Sequence, residues 1–162
     1  MNLINILKKV FNSLKKLNSL FKRKKSIFLI ESKEDKKFLI DAIENETLLG
    51  VDTEFNWKNT YKPKLSLLQI STKNEIFLID CCSNFKLSFL KKILESKKKL
   101  IIFHSARSDT TVLSTNLNIK IKNAFDIQIA EKIINGGDIK KYGDIVKNYF
   151  SKSLSQSETN SN

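Results

Sequence analysis

Four glycines and one proline in 162 residues leave little material for a loop-rich or fibrous chain. The two cysteines, Cys81 and Cys82, are neighbours in sequence, a spacing that rarely bridges, and no CxxC motif or Cys/His cluster is present to hold zinc. These scarcities predict a reducing, cytoplasmic setting in which both thiols are packing residues. No internal repeat is visible. Acid is also missing from one region: residues 1–30 carry eight Lys or Arg and no Asp or Glu, so most of the net charge of +12 sits there. The whole chain is 41% hydrophobic and 28% charged, the balance of a soluble domain able to bury a core without disulfides. The basic excess admits a polyanionic partner without establishing one.

The basic segment has a pattern of its own. Leu3, Leu7, Val10, Phe11, Leu14, Leu17 and Phe21 recur at helical spacing with lysines opposite, which predicts a basic amphipathic helix in a first region, residues 1–25. Its apolar runs are too short to span a membrane, and it lacks a compact signal-peptide core. Three uses remain open: docking on the body of the protein, lying on an anionic membrane surface or nucleic acid, and targeting. Lys22-Arg23-Lys24-Lys25 then reads as a solvated linker.

From residue 26 to 162 the pattern is that of an α/β domain. Strands are expected at Ile27–Ile30, Leu48–Phe55, Leu65–Ser71, Glu75–Asp80, Leu100–Phe103 and Ile119–Ile121. Ser32 with Asp35 resembles a capping box opening a helix to about Asn45, with Phe38, Leu39, Ala42 and Ile43 inward. Further helices are expected over residues 84–96 (with Phe85 inward), from Ser105 through Leu113, over Ile127–Asn135 ended by Gly136-Gly137, and over Tyr142–Phe150. Thr72-Lys73-Asn74 reads as a tight hairpin. Short-turn strands followed by helix–strand alternation predict a mixed sheet flanked by helices.

Chemistry concentrates at the end of the second strand. In Val51-Asp52-Thr53-Glu54-Phe55 the alternation of an extended chain puts Asp52 and Glu54 on one face. Like charges held so close are best tolerated around a cation, and hard Mg²⁺ or Mn²⁺ takes carboxylate oxygen; the alternative is a strand ending in water with two hydrated acids. A second acid, Asp109, lies about one turn into the helix after His104, at the kind of strand-to-helix junction where open α/β sheets place ligands. It could face Asp52, or simply favour its helix dipole. Phe55 and Trp57 offer faces for stacking on bases, against core packing for Phe55; Arg107 could contact a phosphate or be a solvated helix charge. His104 reads as ordering its turn rather than as a base, and Asp126 as a cap for the helix that follows it.

Val51–Phe55, Tyr61-Lys62-Pro63-Lys64-Leu65-Ser66-Leu67-Leu68-Gln69-Ile70, Phe77-Leu78-Ile79-Asp80, Phe103-His104-Ser105-Ala106-Arg107-Ser108-Asp109 and Phe125-Asp126-Ile127-Gln128 together resemble a ribonuclease D-type 3′–5′ exonuclease domain of the DEDD superfamily. The resemblance covers residues 27–162. It implies a ribonuclease H-like fold, and hydrolysis of phosphodiester bonds at single-stranded 3′ ends, RNA favoured over DNA, with two divalent ions, Mg²⁺ or Mn²⁺. Asp52, Glu54 and Asp109 would be the catalytic metal ligands, and Phe55, Trp57, His104 and Arg107 the nucleic-acid contacts. The family's third motif, Tyr-x-x-x-Asp, has no counterpart: Tyr142 and Asp144 are two apart, and the other late acids are Asp138 and Glu158. The expectation is therefore a domain incomplete at its C-terminus and impaired in catalysis, with an inactive nucleic-acid-binding remnant as the alternative.

Overall fold

The computed structural model describes residues 25–58, 61–83 and 86–154. The amphipathic segment with its three open uses, Phe85, and the tail from 155 lie outside the described residues. The chain divides into two compact units, one ending at Asp126 and the other taking in the chain from Ile127.

The first unit is built on a six-stranded mixed sheet of order β1-β4-β3-β2-β5-β6. Its strands are β1 (Ser26–Ile30), β2 (Leu48–Asn56), β3 (Lys64–Ser71), β4 (Glu75–Asp80), β5 (Leu100–Phe103) and β6 (Ala124–Asp126). β2, β3 and β4 run antiparallel in series, whereas β1 joins β4, β5 joins β2 and β6 joins β5 in parallel. The expected hairpin at residues 72–74 is present: Thr72 N–H donates to the Glu75 carbonyl at 3.0 Å, and the Thr72 hydroxyl accepts from Glu75 N–H at 3.0 Å.

Helices α1 (Lys33–Glu44), α2 (Phe89–Leu94) and α3 (Ala106–Leu117) complete this unit. The capping box of α1 forms as its sequence predicts, Asp35 N–H donating to Ser32 Oγ at 3.2 Å and Ser32 N–H to Asp35 Oδ2 at 3.0 Å. Leu39 and Ile43 of α1 are fully buried with Leu90 and Leu94 of α2 and with Leu49, Leu68, Ile70, Phe77, Ile79 and Ile101 of the sheet. Each such side chain contributes about 1.5–3 kcal/mol. Lys99, just before β5, donates to the carbonyls of Ile43, Glu44 and Glu46 at 2.8, 2.6 and 2.6 Å, answering the orphan carbonyls at the end of α1. That cap fixes the root of β5 beside β2.

Several expectations need correction. The helix expected over 84–96 is only the six residues of α2; Ser88 makes no side-chain cap, and residues 87–91 enter the helix through turn bonds. Ile119–Ile121 is not a strand. Its donors are spent elsewhere, Ile119 N–H on the Leu113 carbonyl at 3.2 Å and Lys120 N–H on Glu95 Oε1 at 2.7 Å, so the sixth strand forms at Ala124–Asp126. α3 runs on to Leu117, where Asn118 adopts a left-handed conformation (φ 52°) and ends it. Phe38 is 44% exposed rather than inward, although its ring meets Phe28 and Phe77 edge-on. Lys25 is not a solvated linker residue: its ammonium donates to Ser71 Oγ at 2.7 Å and the Thr72 carbonyl at 2.6 Å.

In the second unit, α4 (Ile127–Asn135) and α5 (Tyr142–Phe150) match their predicted spans. Gly136 and Gly137, both at positive φ, end α4, and Gln128 Nε2 donates across to the Lys140 carbonyl at 3.0 Å. The buried carboxylate of Glu131 accepts from Lys140 Nζ at 2.5 Å, Tyr149 OH at 2.5 Å and Asn135 Nδ2 at 2.7 Å. Among the described residues no helix is long and apolar enough to cross a membrane.

Candidate nuclease site

β2 alternates as its sequence predicts up to Glu54. Leu49, Val51 and Thr53 are buried on one face, and Asp52 and Glu54 are exposed on the other. β5 pairs with β2 only from Leu48 to Gly50. Among the described residues no strand lies beside that edge of β2 beyond Gly50, and α3 takes its place. Asp109 Oδ1 accepts from Thr53 N–H at 3.0 Å and from Thr53 Oγ1 at 2.6 Å. The aspartate, 6% exposed, thus stands in for a missing ladder partner.

The position of Asp109 is determined from three sides. Val112 and Leu113 bury the middle of α3 completely. Toward its end, Asn116 donates from Nδ2 to the Pro63 carbonyl at 2.9 Å and accepts from Leu65 N–H at 3.1 Å. At its start, Asp126 accepts from Ser105 N–H at 3.1 Å and Ala106 N–H at 2.8 Å. The Asp126 carboxylate thereby caps α3, one element back in the chain, where N–H groups at the helix start and the helix dipole attract it. Ser105 between them is left-handed (φ 66°), a conformation that costs a serine of order 1 kcal/mol and turns the chain sharply after His104.

Electrostatically, the two motifs meet. The Asp52 carboxyl is raised above the usual carboxylate range, first by lost hydration and then by the negative charges of Asp109 and Glu54; Thr53 N–H and His104 oppose the shift. Asp52 therefore feels both other acids, and His104 lies near enough to act on it. Gln69, directly across from Asp52 on β3, offers Nε2 to Asp52 Oδ2 at 3.4 Å. Three carboxylates form a hard oxygen donor set suited to a divalent cation. Among the described residues, however, no three acidic, histidine or cysteine side chains close into a cage.

A register shift follows Glu54: it pairs with Leu67, but Phe55 pairs with Leu65, so β3 carries an extra residue there. Such bulges re-aim side chains. Phe55 is half-buried, and its ring meets Trp57 edge-on, centroids 6.1 Å apart at 74°. Trp57 is 57% exposed, and Arg107 is exposed on the first turn of α3.

Thr53, Gln69 and Asn116 escape sequence reading. Thr53 is visible only as a polar residue at a buried phase of β2, and the other two require the strand register and the helix placement.

The family model described as 3′–5′ exonuclease matches residues 27–162. A ribonuclease D from Desulfotalea psychrophila is 30% identical over 135 residues, which are 83% of this chain and 36% of that protein. The chain spans about a third of the length of such curated relatives. The catalytic core of RRP6 from Trypanosoma brucei superposes with a TM-score of 0.77 at 24% identity, over 86% of this chain and 38% of that one. Ribonuclease D of the same organism, solved in complex with RNA U12, gives 0.74 at 16% identity, over 89% and 52%. Those likenesses carry the ribonuclease H-like fold. The family match carries more, and this chain belongs to the 3′–5′ exonuclease domain family, of the ribonuclease D type.

Proposed function

We propose that this protein hydrolyses phosphodiester bonds at the 3′ end of single-stranded RNA, and that Asp52, Glu54 and Asp109 are its metal-binding catalytic residues. The observation that carries the reading is the convergence of the two acidic motifs on Asp52, whose carboxyl is pushed up in part by the charges of the other two. A carboxylate in that setting gains from any cation that enters. The expected occupants are two Mg²⁺ or Mn²⁺ ions, which when bound would supply an activated water and offset charge on the attacked phosphate. Asp52 and Glu54, side by side on a stiff strand, hold their oxygens outward, and Asp109 presents the edge left over from its bonds to Thr53. Phe55 and Trp57 stack on the terminal bases, Arg107 meets a phosphate, and His104 orders the turn beside Asp52 while contacting the strand. The ribonuclease D whose structure holds RNA supports RNA as the substrate class.

A second reading, binding without turnover, is favoured by the failure of three acids to close into a cage among the described residues. One experiment separates them. Excess protein is mixed with 5′-labelled single-stranded RNA and Mn²⁺, and the products are resolved as a ladder. Stepwise shortening from the 3′ end that EDTA and Asp52→Asn both abolish supports the nuclease. Retention of intact RNA, bound by wild type and variant alike, supports the binding reading. Shortening that survives Asp52→Asn overturns the assignment of the site.

A further inference from the structure

The connection between β2 and β3 holds several large or charged side chains out in water. Residues 56–64 read Asn-Trp-Lys-Asn-Thr-Tyr-Lys-Pro-Lys, with three lysines, two large aromatics and no acid. Tyr61 is 97% exposed and Trp57 57%, and Lys58, Lys62 and Lys64 are exposed as well. A tyrosine ring left almost wholly in water adds nothing to stability through burial. The roots of the connection are nevertheless held. Asn56 Oδ1 accepts from Lys58 N–H at 2.6 Å, and Pro63 is buried with its carbonyl bound by Asn116. Asn116 lies two turns beyond Asp109 on α3, so one helix fixes both an acid of the site and the root of this connection.

We infer that this connection extends the terminal-base contact of Trp57 into a platform for the nucleotides next upstream of the 3′ end: Tyr61 stacks on an unpaired base there, and Lys58, Lys62 and Lys64 pair with the phosphates between the two rings' bases. The inference rests on the exonuclease reading, which supplies the strand and its end. The chemistry selects a single strand. Aromatic faces need bases whose own faces are free, and a duplex hides them. Rings and cations alternate along the connection as bases and phosphates alternate along a strand. Lysine is a point charge without the fork that reads a base edge, so the platform tolerates any sequence. An acidic peptide would satisfy the lysines and leave both rings in water.

The test is fluorescence anisotropy of the 162-residue chain with a labelled 12-nucleotide single strand, in EDTA to halt turnover, across a salt series. Tyr61→Ala should weaken binding about tenfold. Replacing Lys58, Lys62 and Lys64 together by glutamine should flatten the slope of log affinity against log salt by about 2, three phosphates at about 0.7 each. Unchanged melting temperatures show that the fold is intact, as exposed side chains allow. Wild-type affinity and slope in both variants overturn the platform and leave the exonuclease reading standing. A wild-type chain that binds no single strand overturns both. A polyglutamate peptide bound as tightly, with the same response to the variants, assigns the surface to acidic peptides and overturns the platform for nucleic acid.

Discussion

Two groups of carboxylates in this molecule are built on opposite terms. Burial alone would raise Glu131, 1% exposed between α4 and α5, but hydrogen bonds from Lys140, Tyr149 and Asn135 and the Lys140 charge outweigh it and hold it below the usual range. Asp52, on the outward face of β2, is raised, first by lost hydration and then by the charges of its acidic neighbours. Glu131 has its cation inside the chain and is satisfied. Among the described residues, Asp52, Glu54 and Asp109 meet a threonine, a distant glutamine and a nearby histidine. A group that folding satisfies holds the fold together, whereas a group that folding leaves in debt of a countercharge keeps its attraction for a ligand.

The largest effect expected from breaking this contrast is on rate. Asp52→Asn should cost on the order of a thousandfold in metal-dependent trimming, as removal of a preorganised charge-stabilising group does. It should leave the melting temperature unchanged or slightly higher, since it removes repulsion. Glu131→Gln should do the reverse. It strands Lys140 without its anion and weakens two short hydrogen bonds, for a loss of about 2 kcal/mol, read as a fall of about 6 °C in thermal unfolding. Single-strand binding by the residues of β2 should survive it. A Glu131 variant that melts normally would mean that its network is ornamental and that the comparison fails.

Acid should separate the two groups with opposite signs. The folded pKa of Glu131 is depressed, so its contribution is fully present above its unfolded value, about 4.3, and is lost as pH falls through the lower folded value. The folded pKa of Asp52 is raised, so ionising it penalises the fold above that raised value, and the penalty is relieved as pH falls toward about 3.9. Added Mg²⁺ competes with that proton. At ten times its Kd it should stabilise the protein by about 1.4 kcal/mol near neutral pH, and progressively less as pH falls through the Asp52 window. Asp52→Asn should remove the metal's effect, and Glu131→Gln should not. Equal metal stabilisation at neutral and acid pH would place the ion elsewhere.

Much of this arrangement was legible in the chain because it is local. Alternation put Asp52 and Glu54 on one face, the Ser32–Asp35 spacing gave the start of α1, and periodicity gave the spans of α4 and α5. Failures came where a residue's partner lies far along the sequence. Nothing in the spacing marks Asp126 as the cap of α3, because the N–H groups it accepts from, on Ser105 and Ala106, lie 21 and 20 residues back. Ile119–Ile121 has the composition of a strand, yet its donors were claimed by the end of α3 and by Glu95. Phe55 lies past a register shift that no single strand's sequence announces. The Glu131 network joins residues as far as eighteen apart across a turn, and nothing in the spacing marks Tyr149 as its donor.

Thr53 gives the smallest and most discriminating test, because it belongs to both sides of the contrast. Its backbone N–H and hydroxyl are the groups that satisfy Asp109, so it is the means by which the fold holds one acid of an otherwise unsatisfied set. Thr53→Val keeps the shape, the β-branch and the backbone donor and removes only the 2.6 Å hydroxyl bond. The loss in stability should be about 1–2 kcal/mol, as for a hydrogen bond to a charged group in a buried setting. If Asp109 works by position, the freed carboxylate swings, and trimming should fall about tenfold while single-strand affinity in EDTA stays at the wild-type value. Thr53→Ser, which restores the hydroxyl, should recover most of the rate even though it gives up a buried methyl group. Loss of stability without loss of rate would show that Asp109 is only an edge cap for β2, and would reduce the candidate site to the pair on one strand.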